Sequence, residues 1–378
     1  MRILFLTPQL PYPPRQGTAL RNWGLLSNLA RHHEVWLLSF DEHPEAPIAP
    51  ELSRLCRDAI TFSVPRRSTA ERLRRLVASP LPDMAWRLWS PEFAAKLAEW
   101  TAAQHFDVIQ VEGIELARYI GLDRRAPDHA KARIVFDDHN CEYVLQRRSF
   151  ETDLRQPRRW HAAAYSLAQW QRLRVFERRA MQQADATLCV SPQDALMLSQ
   201  LGKEPDAHVI PNGIDVNAYR QSPISSLQSP NLVFTGKMDF RPNIDAMMWF
   251  GQAVFPLIKA RAPAAHLWIV GQQPGPRLDV LRADPAITIT GAVDDVRPFI
   301  AGAQVYIAPL RVGGGTRFKL LEAMAMRRPI VSTSLGCEGF PVASGRELLI
   351  GDTPEAFAEQ VVRLFNDDSL CAELTERA

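Results

Sequence analysis

Short, continuous runs of apolar residues recur along the whole chain, separated by longer segments with a helical pattern. Unbroken apolar runs, without polar alternation, are typical of parallel strands that helices cover on both faces. Strands and helices in alternation form βαβ units, so the sequence predicts an α/β fold of doubly wound sheets. The predicted strands are Ile3–Leu6, Val35–Phe40, Ala59–Val64, Val108–Val111, Ile134–Phe136, Thr187–Val190, Val209–Ile210, Leu232–Phe234, His266–Val270, Ile287–Thr290, Val305–Ala308 and Ile330–Ser332.

The length of 378 residues fits two domains of ordinary size. A polar stretch rich in proline and serine, Ser222–Pro230, has the composition of a linker. We therefore predict one Rossmann-like domain over residues 1–208 and a second over residues 209–378. Doubly wound sheets bind ligands beyond the carboxyl ends of their strands, so we expect the two domains to face each other across a binding cleft.

Composition excludes several classes of protein. A formal net charge of +2 is too small for a dedicated nucleic-acid binder. The five cysteines are widely spaced and form no C-x-x-C pair, which indicates a reducing compartment and no structural zinc. The apolar N-terminus stops at Pro8, too early for a signal peptide, and no run approaches the length of a membrane span. We expect a cytoplasmic protein, possibly one that is peripheral on the inner face of the membrane.

Two segments of the N-terminal half stand out. A cluster of arginines predicts either a solvated helix face or a surface that meets anionic lipid or an acidic acceptor. The cluster consists of Arg66, Arg67, Arg72, Arg74 and Arg75. The segment Pro157–Gln183 is the longest helical pattern, and we expect an apolar stripe on it to pack into the core. The residues of the expected stripe are Trp160, Tyr165, Leu167, Trp170, Leu173 and Phe176.

The segment Gly313–Met326 carries the strongest functional pattern. A predicted buried strand leads into three glycines and then into a helix, for which Thr316 is the expected N-cap. This arrangement presents backbone N–H groups to a phosphate. Arg317 and Lys319 fall in the first helical turn, where positive charge opposes the helix dipole unless an anion is bound there.

Lys319 and Glu322 are three residues apart and therefore share one helix face. A cation for a pyrophosphate beside a carboxylate for ribose hydroxyls predicts a nucleotide-diphosphate site. The alternative is a flexible glycine loop with scattered charges. A second contact to the same phosphates is predicted where a strand runs into Gly236, followed by Lys237 and Arg241. These two cations could instead be solvent-facing loop residues.

Two further segments follow predicted strands of the N-terminal half. In the proline-rich loop before Arg21, Gly17 allows close approach of a ligand, although the loop could equally be a rigid connection. His139 follows the strand Ile134–Phe136, and its imidazole could contact a donor sugar or be structural. Asp138 could hold His139, cap the next helix or contact the acceptor, and Glu112 is a similar candidate.

Three other functions share part of this pattern. A nicotinamide oxidoreductase requires G-x-G-x-x-G after the first strand, and Thr7–Tyr12 lacks it. An epimerase acting on nucleotide sugars is a weaker option on the same fold. A non-catalytic nucleotide-sugar-binding protein or partner subunit stays open.

Taken in order, these motifs resemble those of the retaining GT-B glycosyltransferases of family 4, especially enzymes of bacterial exopolysaccharide and capsule synthesis. The most specific parts are Lys319–Met326 and Pro211–Asp215, and the likeness covers nearly the whole chain. It implies transfer from a nucleoside-diphosphate sugar to a saccharide or lipid-linked acceptor, with no cofactor and no metal. It places the acceptor on the N-terminal domain and the donor on the C-terminal one.

The resemblance also assigns roles to residues. Glu322 would hold the ribose, Lys319 with the amides of Gly315 and Thr316 the pyrophosphate, and His139 the donor sugar. Leu320, next to Lys319, is included in the predicted donor site, and backbone near Gly291–Val293 would meet the base. The acceptor or cleft residues are Gly17, Arg21, Glu112 and Asp138.

Two departures from the family pattern are visible. Gly314 stands where the family often has a first glutamate that contacts the donor sugar. Members also commonly end in a helix that crosses back to the N-terminal domain. Because the sequence stops at Ala378, we expect that closing element to be absent.

Overall fold

A computed structural model describes residues 1–14, 17–122, 132–202, 207–220, 227 and 230–378. The chain forms two compact units, Met1–Asn212 and Gly213–Ala378. The predicted domain limit between residues 208 and 209 falls inside the last strand of the first unit. Most of the predicted linker Ser222–Pro230, and residues 15 and 16 of the first loop, lie outside the described residues.

The first unit is built on a parallel sheet with strand order β3-β2-β1-β4-β5-β6-β7. Its strands are β1 (Arg2–Thr7), β2 (Glu34–Asp41), β3 (Cys56–Ser63), β4 (Val108–Glu112), β5 (Arg133–Asp138), β6 (Ala186–Cys189) and β7 (Ala207–Val209). Its helices are α1 (Gly17–Leu29), α2 (Pro50–Leu55), α3 (Thr69–Ala78), α4 (Met84–Arg87), α5 (Pro91–Ala103), α6 (Glu142–Leu154), α7 (Trp160–Gln183) and α8 (Pro192–Ser199). A 3-10 segment, Ile114–Tyr119, follows β4.

The second unit repeats this plan, with strand order β10-β9-β8-β11-β12-β13 and all described pairings parallel. Its strands are β8 (Asn231–Thr235), β9 (His266–Val270), β10 (Ile287–Ile289), β11 (Val305–Ala308), β12 (Ile330–Ser332) and β13 (Leu349–Ile350). Its helices are α9 (Val216–Arg220), α10 (Arg241–Trp249), α11 (Phe255–Arg261), α12 (Arg297–Gly302), α13 (Phe318–Ala325), α14 (Pro354–Asn366) and α15 (Asp368–Arg377). A π-helical segment, Phe250–Val254, joins α10 to α11.

Both sheets are buried on both faces. Successive side chains of a strand point to opposite sides, so each central strand contributes to two core clusters. On β1, Leu4 and Leu6 enter one core cluster while Ile3 and Phe5 enter another. On β8, Val233 likewise faces away from the cluster that its neighbours enter. The predicted fold class, two Rossmann-like α/β domains with doubly wound parallel sheets, is therefore confirmed.

Two sequence-based details differ from the structure. Strand β13 was not predicted, because a run of two residues has no periodicity to detect. The predicted apolar stripe of α7 is wrong in part, since Trp160 is 60% exposed and Leu167 is 40% exposed. The buried face follows a different set of positions, which gives small and polar residues to the core beside Leu173 and Phe176. Those positions are Ala163, Ser166, Gln169, Leu173, Phe176, Glu177, Ala180 and Met181.

Across the described ranges, none of the helices combines the length and the apolar character needed to cross a lipid bilayer.

Candidate functional site

The two sheets share one topological feature that marks where ligands bind. Strand β1 lies between β2 and β4, and β8 lies between β9 and β11, so the chain changes direction along the sheet at each of these positions. In doubly wound folds, ligands bind beyond the carboxyl ends of the strands at this switch point. The candidate residues of each unit are therefore described separately, starting from these strand ends.

In the second unit, β11 leads into the predicted glycine loop. Gly313 and Gly315 have φ angles of 105° and 75°, in the left-handed region that glycine adopts without steric cost. Helix α13 then begins at Phe318, and its N-cap is Arg317. The prediction of Thr316 as the N-cap is therefore wrong by one residue. The Arg317 guanidinium donates to the carbonyl of Gly314 and so closes the loop on itself.

Lys319, in the first turn of α13, points toward the end of β8. Its Nζ donates to Oδ1 of Asn243 at 3.0 Å and lies 4.0 Å from the ring centroid of Phe234. Burial and, to a smaller extent, the charge of Arg317 lower the pKa of Lys319 to about 7, against the opposing effect of Glu322. An anion at this position would restore the positive charge of the lysine.

Gly236 lets the side chains of Lys319 and Asn243 pack close to the backbone that follows β8. A Cβ atom at Gly236 would lie 3.0 Å from Nζ of Lys319 and 2.7 Å from Nδ2 of Asn243. Only a residue without a side chain fits this approach without moving the lysine or the asparagine. The glycine after β8 and the lysine after β11 therefore belong to one site at the switch point.

Glu322 lies one turn further along α13 and accepts a hydrogen bond from the hydroxyl of Tyr219 at 3.1 Å. Burial raises the pKa of this carboxyl to about 7, although the Tyr219 hydrogen bond and Lys319 oppose the shift. Sequence analysis missed Tyr219 and Asn243. Neither forms a motif with α13, because the contacts join residues that are far apart in the chain.

The remaining predicted donor residues differ in exposure. Lys237 is 42% exposed and its Nζ lies 3.6 Å from Oδ2 of Asp239. Arg241 is the first residue of α10. The side chain of Leu320 is fully buried in the core, so only its backbone could take part in a site. Gly315 and Thr316 lie in the loop that precedes α13.

In the first unit, the switch point collects buried acids and their partners. Glu112 ends β4 and is fully buried, and its Oε2 lies 2.7 Å from Nε2 of His139. Gly113, with φ of 83°, passes beside the same ring, since a Cβ there would lie 3.7 Å from Nδ1 of His139. Burial lowers the pKa of His139, but the Glu112 hydrogen bond and the charge of Asp137 outweigh it and raise the pKa.

Arg21 is a buried ion-pair partner in the structure. Its guanidinium donates to both carboxylate oxygens of Asp137, at 2.8 and 2.9 Å, and to the carbonyl of Ile210 and the side chain of Asn212. Gly17 begins α1, four residues earlier on the same helix. Asp138, next to Asp137, is only 1% exposed.

Ligand atoms of Glu112, Asp137 and His139 all lie within 4.8 Å of one another, close enough to hold a metal ion among the described residues. However, Arg21 already occupies both oxygens of Asp137, and His139 contacts Glu112. A cation would have to displace the guanidinium from a buried carboxylate, which is costly. The arrangement is a closed ion-pair network that orients His139.

Comparison with known proteins identifies the family of the chain. The family model described as Glycosyltransferase Family 4 matches residues 16–218, more than half of the chain. A second model, described as Glycosyl transferases group 1, matches residues 229–367. The chain belongs to glycosyltransferase family 4.

Two curated relatives are each 29% identical to this chain. One is a phosphatidyl-myo-inositol mannosyltransferase of Mycolicibacterium smegmatis, matched over 46% of each protein. The other is the lipopolysaccharide core biosynthesis glycosyltransferase LpsE of Rhizobium meliloti, matched over 51% of this chain and 57% of the relative. The chain spans about half the length of the curated relatives it matches.

Among solved structures, HepE of Anabaena in complex with UDP and glucose matches 100% of this chain and 93% of its own chain. The TM-score is 0.64 at 14% sequence identity. At this identity the likeness concerns the fold alone. The family member described here therefore has the two-unit Rossmann-like fold of the GT-B glycosyltransferases.

Proposed function

We propose that this protein is a glycosyltransferase that moves a sugar from a nucleoside-diphosphate sugar to an acceptor hydroxyl with retention of configuration, without a divalent metal. The observation that carries the proposal is the placement of Lys319 and Glu322 on one face of α13, beyond the switch point of the second sheet.

The diphosphate would bind where the glycine loop meets α13. Backbone amides at the start of a helix favour anions, and the loop glycines allow close approach of the phosphates. Lys319 can add a positive charge, because burial lowers its pKa to about 7 and the lysine is then partly protonated at neutral pH. Diphosphate binding favours the ammonium form and so turns an unfavourable placement of charge into a favourable one.

The ribose would be held by Glu322. Carboxylate oxygens accept hydrogen bonds from vicinal hydroxyls, and Tyr219 keeps this carboxyl in one orientation. The base would follow the sheet toward β10, beside Gly291, which has a φ of 74°. Gly315, Thr316 and Leu320 would contribute backbone groups only, while Lys237 and Arg241 would add charge near the phosphates.

In the reaction, the bond between the anomeric carbon and the diphosphate oxygen breaks, and the acceptor oxygen bonds to the same carbon. The acceptor proton leaves with the diphosphate. Stabilising the charge that develops on the departing diphosphate is the largest catalytic contribution we expect. His139, oriented by Glu112, would act on the donor sugar, and Gly17 and Arg21 would shape the acceptor side. Asp138, which is 1% exposed, would act only through the backbone that carries His139.

The donor base and the cellular role rest on relatives. HepE, which shares the fold, binds UDP and glucose, so UDP-sugars are the first donors to test. LpsE is a lipopolysaccharide core biosynthesis enzyme, which favours a role in cell-surface polysaccharide synthesis. A saccharide or lipid-linked acceptor and a cytoplasmic location are consistent with that role.

Turnover can be tested directly. A thermal-shift screen with UDP, GDP, ADP and their sugars identifies the base, because a ligand stabilises the folded state according to its concentration relative to Kd. Release of the nucleoside diphosphate is then followed with simple alkyl glycosides as acceptors, with and without EDTA. We expect acceptor-dependent release that EDTA leaves unchanged, and proton NMR of the product should show the anomeric configuration of the donor.

A non-catalytic nucleotide-sugar-binding protein is the second candidate. It is favoured by Gly314, which supplies no carboxylate where relatives often have one. Tight nucleotide-sugar binding without any acceptor-dependent release, across the whole donor panel, would support this candidate over the enzyme.

We also propose that α3 meets the inner face of the membrane. This helix buries no residue, Leu73 is 60% exposed and Val77 is 87% exposed. Three arginines, Arg72, Arg74 and Arg75, lie on the same ten-residue helix. Exposed apolar side chains beside arginines are the pattern of an interfacial helix that binds anionic lipid.

A cavity of about 180 Å³ adjoins α3 and is lined by Arg72, Arg75 and Arg172, among others.

Vesicle sedimentation tests the membrane proposal, with vesicles that contain or lack phosphatidylglycerol. We expect binding only to the anionic vesicles, and loss of binding in a Leu73→Ser, Val77→Ser double variant. Leu196→Ser, which changes another exposed apolar residue of the same unit, is the matched control.

A further inference from the structure

Asp138 is a buried acid with no conventional donor. It ends β5, is 1% exposed, and within the described residues neither of its carboxyl oxygens receives a hydrogen bond from an N–H group or a hydroxyl. An ionised carboxylate in such a place is very unfavourable, whereas a neutral acid needs only an acceptor for its proton. Burial raises the pKa of Asp138 well above its usual value, and the neighbouring Glu177 raises it further.

Glu177, on α7, is also a buried acid, and burial raises its pKa to about 7, but unlike Asp138 it has hydrogen-bond donors that oppose this rise. It is fully buried, and its two carboxylate oxygens accept hydrogen bonds from the backbone N–H groups of Glu142 and Tyr143, with N···O distances of 2.8 and 3.0 Å. These are the first two residues of α6, where the helix dipole favours a negative charge. The structure therefore gives Glu177 the environment of an ionised acceptor and Asp138 that of a proton donor.

We propose that Asp138 is held as a neutral acid that donates a hydrogen bond to ionised Glu177, and that this pair positions the segment carrying His139. Asp138 directly precedes His139 in the chain. The two backbone N–H groups that donate to Glu177 belong to residues that follow His139. The pair therefore fixes the backbone on both sides of the histidine. Three consecutive side chains then have three separate partners. Asp137 is paired with Arg21, Asp138 with Glu177, and His139 with Glu112.

The surroundings make the pair sensitive to rising pH. The other titratable groups around Asp138 are Glu142 on α6, Asp194 on α8 and the thiol of Cys141. Because both neighbouring acids repel a second negative charge at Asp138, the pair can lose its shared proton only by placing two charges side by side. The raised pKa means that the neutral form contributes its full stabilisation below the ordinary pKa of an aspartic acid, and this contribution is lost progressively as the pH rises from there through the pKa of Asp138 in the folded protein.

The test uses the whole chain and two substitutions of the same residue. Asp138→Asn keeps a donor to Glu177 and cannot ionise, whereas Asp138→Ala removes the donor. His139 is observed by NMR of the histidine rings and assigned with His139→Gln, while hydrogen exchange reports the amides of Glu142 and Tyr143. Asp58→Asn, an exposed acid of the same unit, is the control.

In the unsubstituted protein we expect the two amides to exchange roughly tenfold faster as the pH rises through the pKa of Asp138, after correction for intrinsic rates, and the His139 resonance to shift in addition to its own titration. Asp138→Asn should abolish the faster exchange and the additional shift, and Asp138→Ala should show the faster exchange at every pH. The proposal is overturned if Asp138→Asn behaves like Asp138→Ala, or if the exchange in the unsubstituted protein stays unchanged up to the pH at which the protein unfolds.

The role of His139 at the donor sugar rests on the proposed function. Turnover measurements separate that function from the proton-sharing pair of Asp138 and Glu177. If the protein transfers sugar, Asp138→Ala should lower kcat more than it changes KM for the donor, and Asp138→Asn should restore kcat. If no turnover is found, the proposed function fails while the NMR and exchange results still decide the proton-sharing pair.

Discussion

The switch points of the two sheets have the same topology and opposite chemistry. In the first unit, buried acids are paired with internal partners, as in Arg21 with Asp137 and Glu112 with His139. In the second unit, glycines surround a lysine of lowered pKa, where we propose that a diphosphate binds. Strand order therefore determines where a site can form, and the residues after the strands determine whether that site is closed by the protein or completed by a ligand.

The largest effect is expected from opening the closed network of the first unit. Arg21→Ala leaves the fully buried Asp137 carboxylate without its partner, so the free energy of unfolding should fall by about 3–5 kcal/mol. Urea denaturation measures the change. Arg57→Ala, which removes an exposed ion pair to Glu34, should leave the free energy of unfolding nearly unchanged, because water screens the exposed charges. Equal effects of the two substitutions would show that the buried pair is not a distinct stabilising element.

A smaller effect is expected from crowding Lys319 in the second unit. The Cβ atom of Gly236→Ala would displace Lys319 or Asn243, so nucleotide binding should weaken by about 1–3 kcal/mol, a factor of roughly 5 to 150 in affinity. Isothermal titration calorimetry with the best nucleoside diphosphate measures it. Gly275→Ala, where a Cβ meets nothing within 4 Å, is the control. Unchanged affinity in Gly236→Ala would place the phosphates elsewhere.

The charge of Lys319 should make binding depend on pH. With its pKa lowered to about 7, the free lysine is mostly neutral at pH 8 and must take up a proton when a diphosphate binds. Affinity for a nucleotide sugar, whose diphosphate does not titrate in this range, should fall by up to roughly tenfold per pH unit above pH 7. Calorimetry in buffers of different ionisation enthalpy should show the proton uptake, and Lys319→Met should remove it. Glu322→Gln should retain it.

The smallest effect is expected from Tyr219. Tyr219→Phe removes the hydrogen bond to Glu322 and should weaken nucleoside diphosphate binding by about 0.5–1.5 kcal/mol. Binding of inorganic pyrophosphate, which has no ribose, should be unaffected. A comparable loss for both ligands would argue that Glu322 does not contact the ribose.

Much of the fold could be predicted from the sequence, because buried parallel strands are unbroken apolar runs with strong local signals. The runs that become β1, β8 and β11 were each recognised in this way. The buried face of α7 was harder, because several of its core positions are occupied by Ser166, Gln169 and Glu177. Their burial depends on partners in other elements, such as the helix start that Glu177 contacts.

The site shows the same limit. Lys319 and Glu322 could be paired from their spacing, since three residues along a helix fix a common face. The partners Asn243 and Tyr219 could not, because strand order brings them close across many residues of sequence. Arg21 was assigned to the cleft for its place after the first strand. Its pairing with Asp137 depends on the sheet order β1-β4-β5, which brings the end of β5 near the helix that follows β1 and which no local pattern encodes.

The most direct test of the account is calorimetric titration of the nucleoside diphosphate selected by the thermal screen into Lys319→Ala and into Lys259→Ala. Lys259 forms an ion pair with Asp284, which precedes the edge strand β10 of the same sheet and, in the described part of the chain, forms no ion pair with Lys319. The account predicts that Lys319→Ala loses at least roughly tenfold in affinity, as expected for a lost charged hydrogen bond, while Lys259→Ala binds like the unsubstituted protein. Equal affinity in all three proteins would contradict the assignment of the diphosphate to the start of α13.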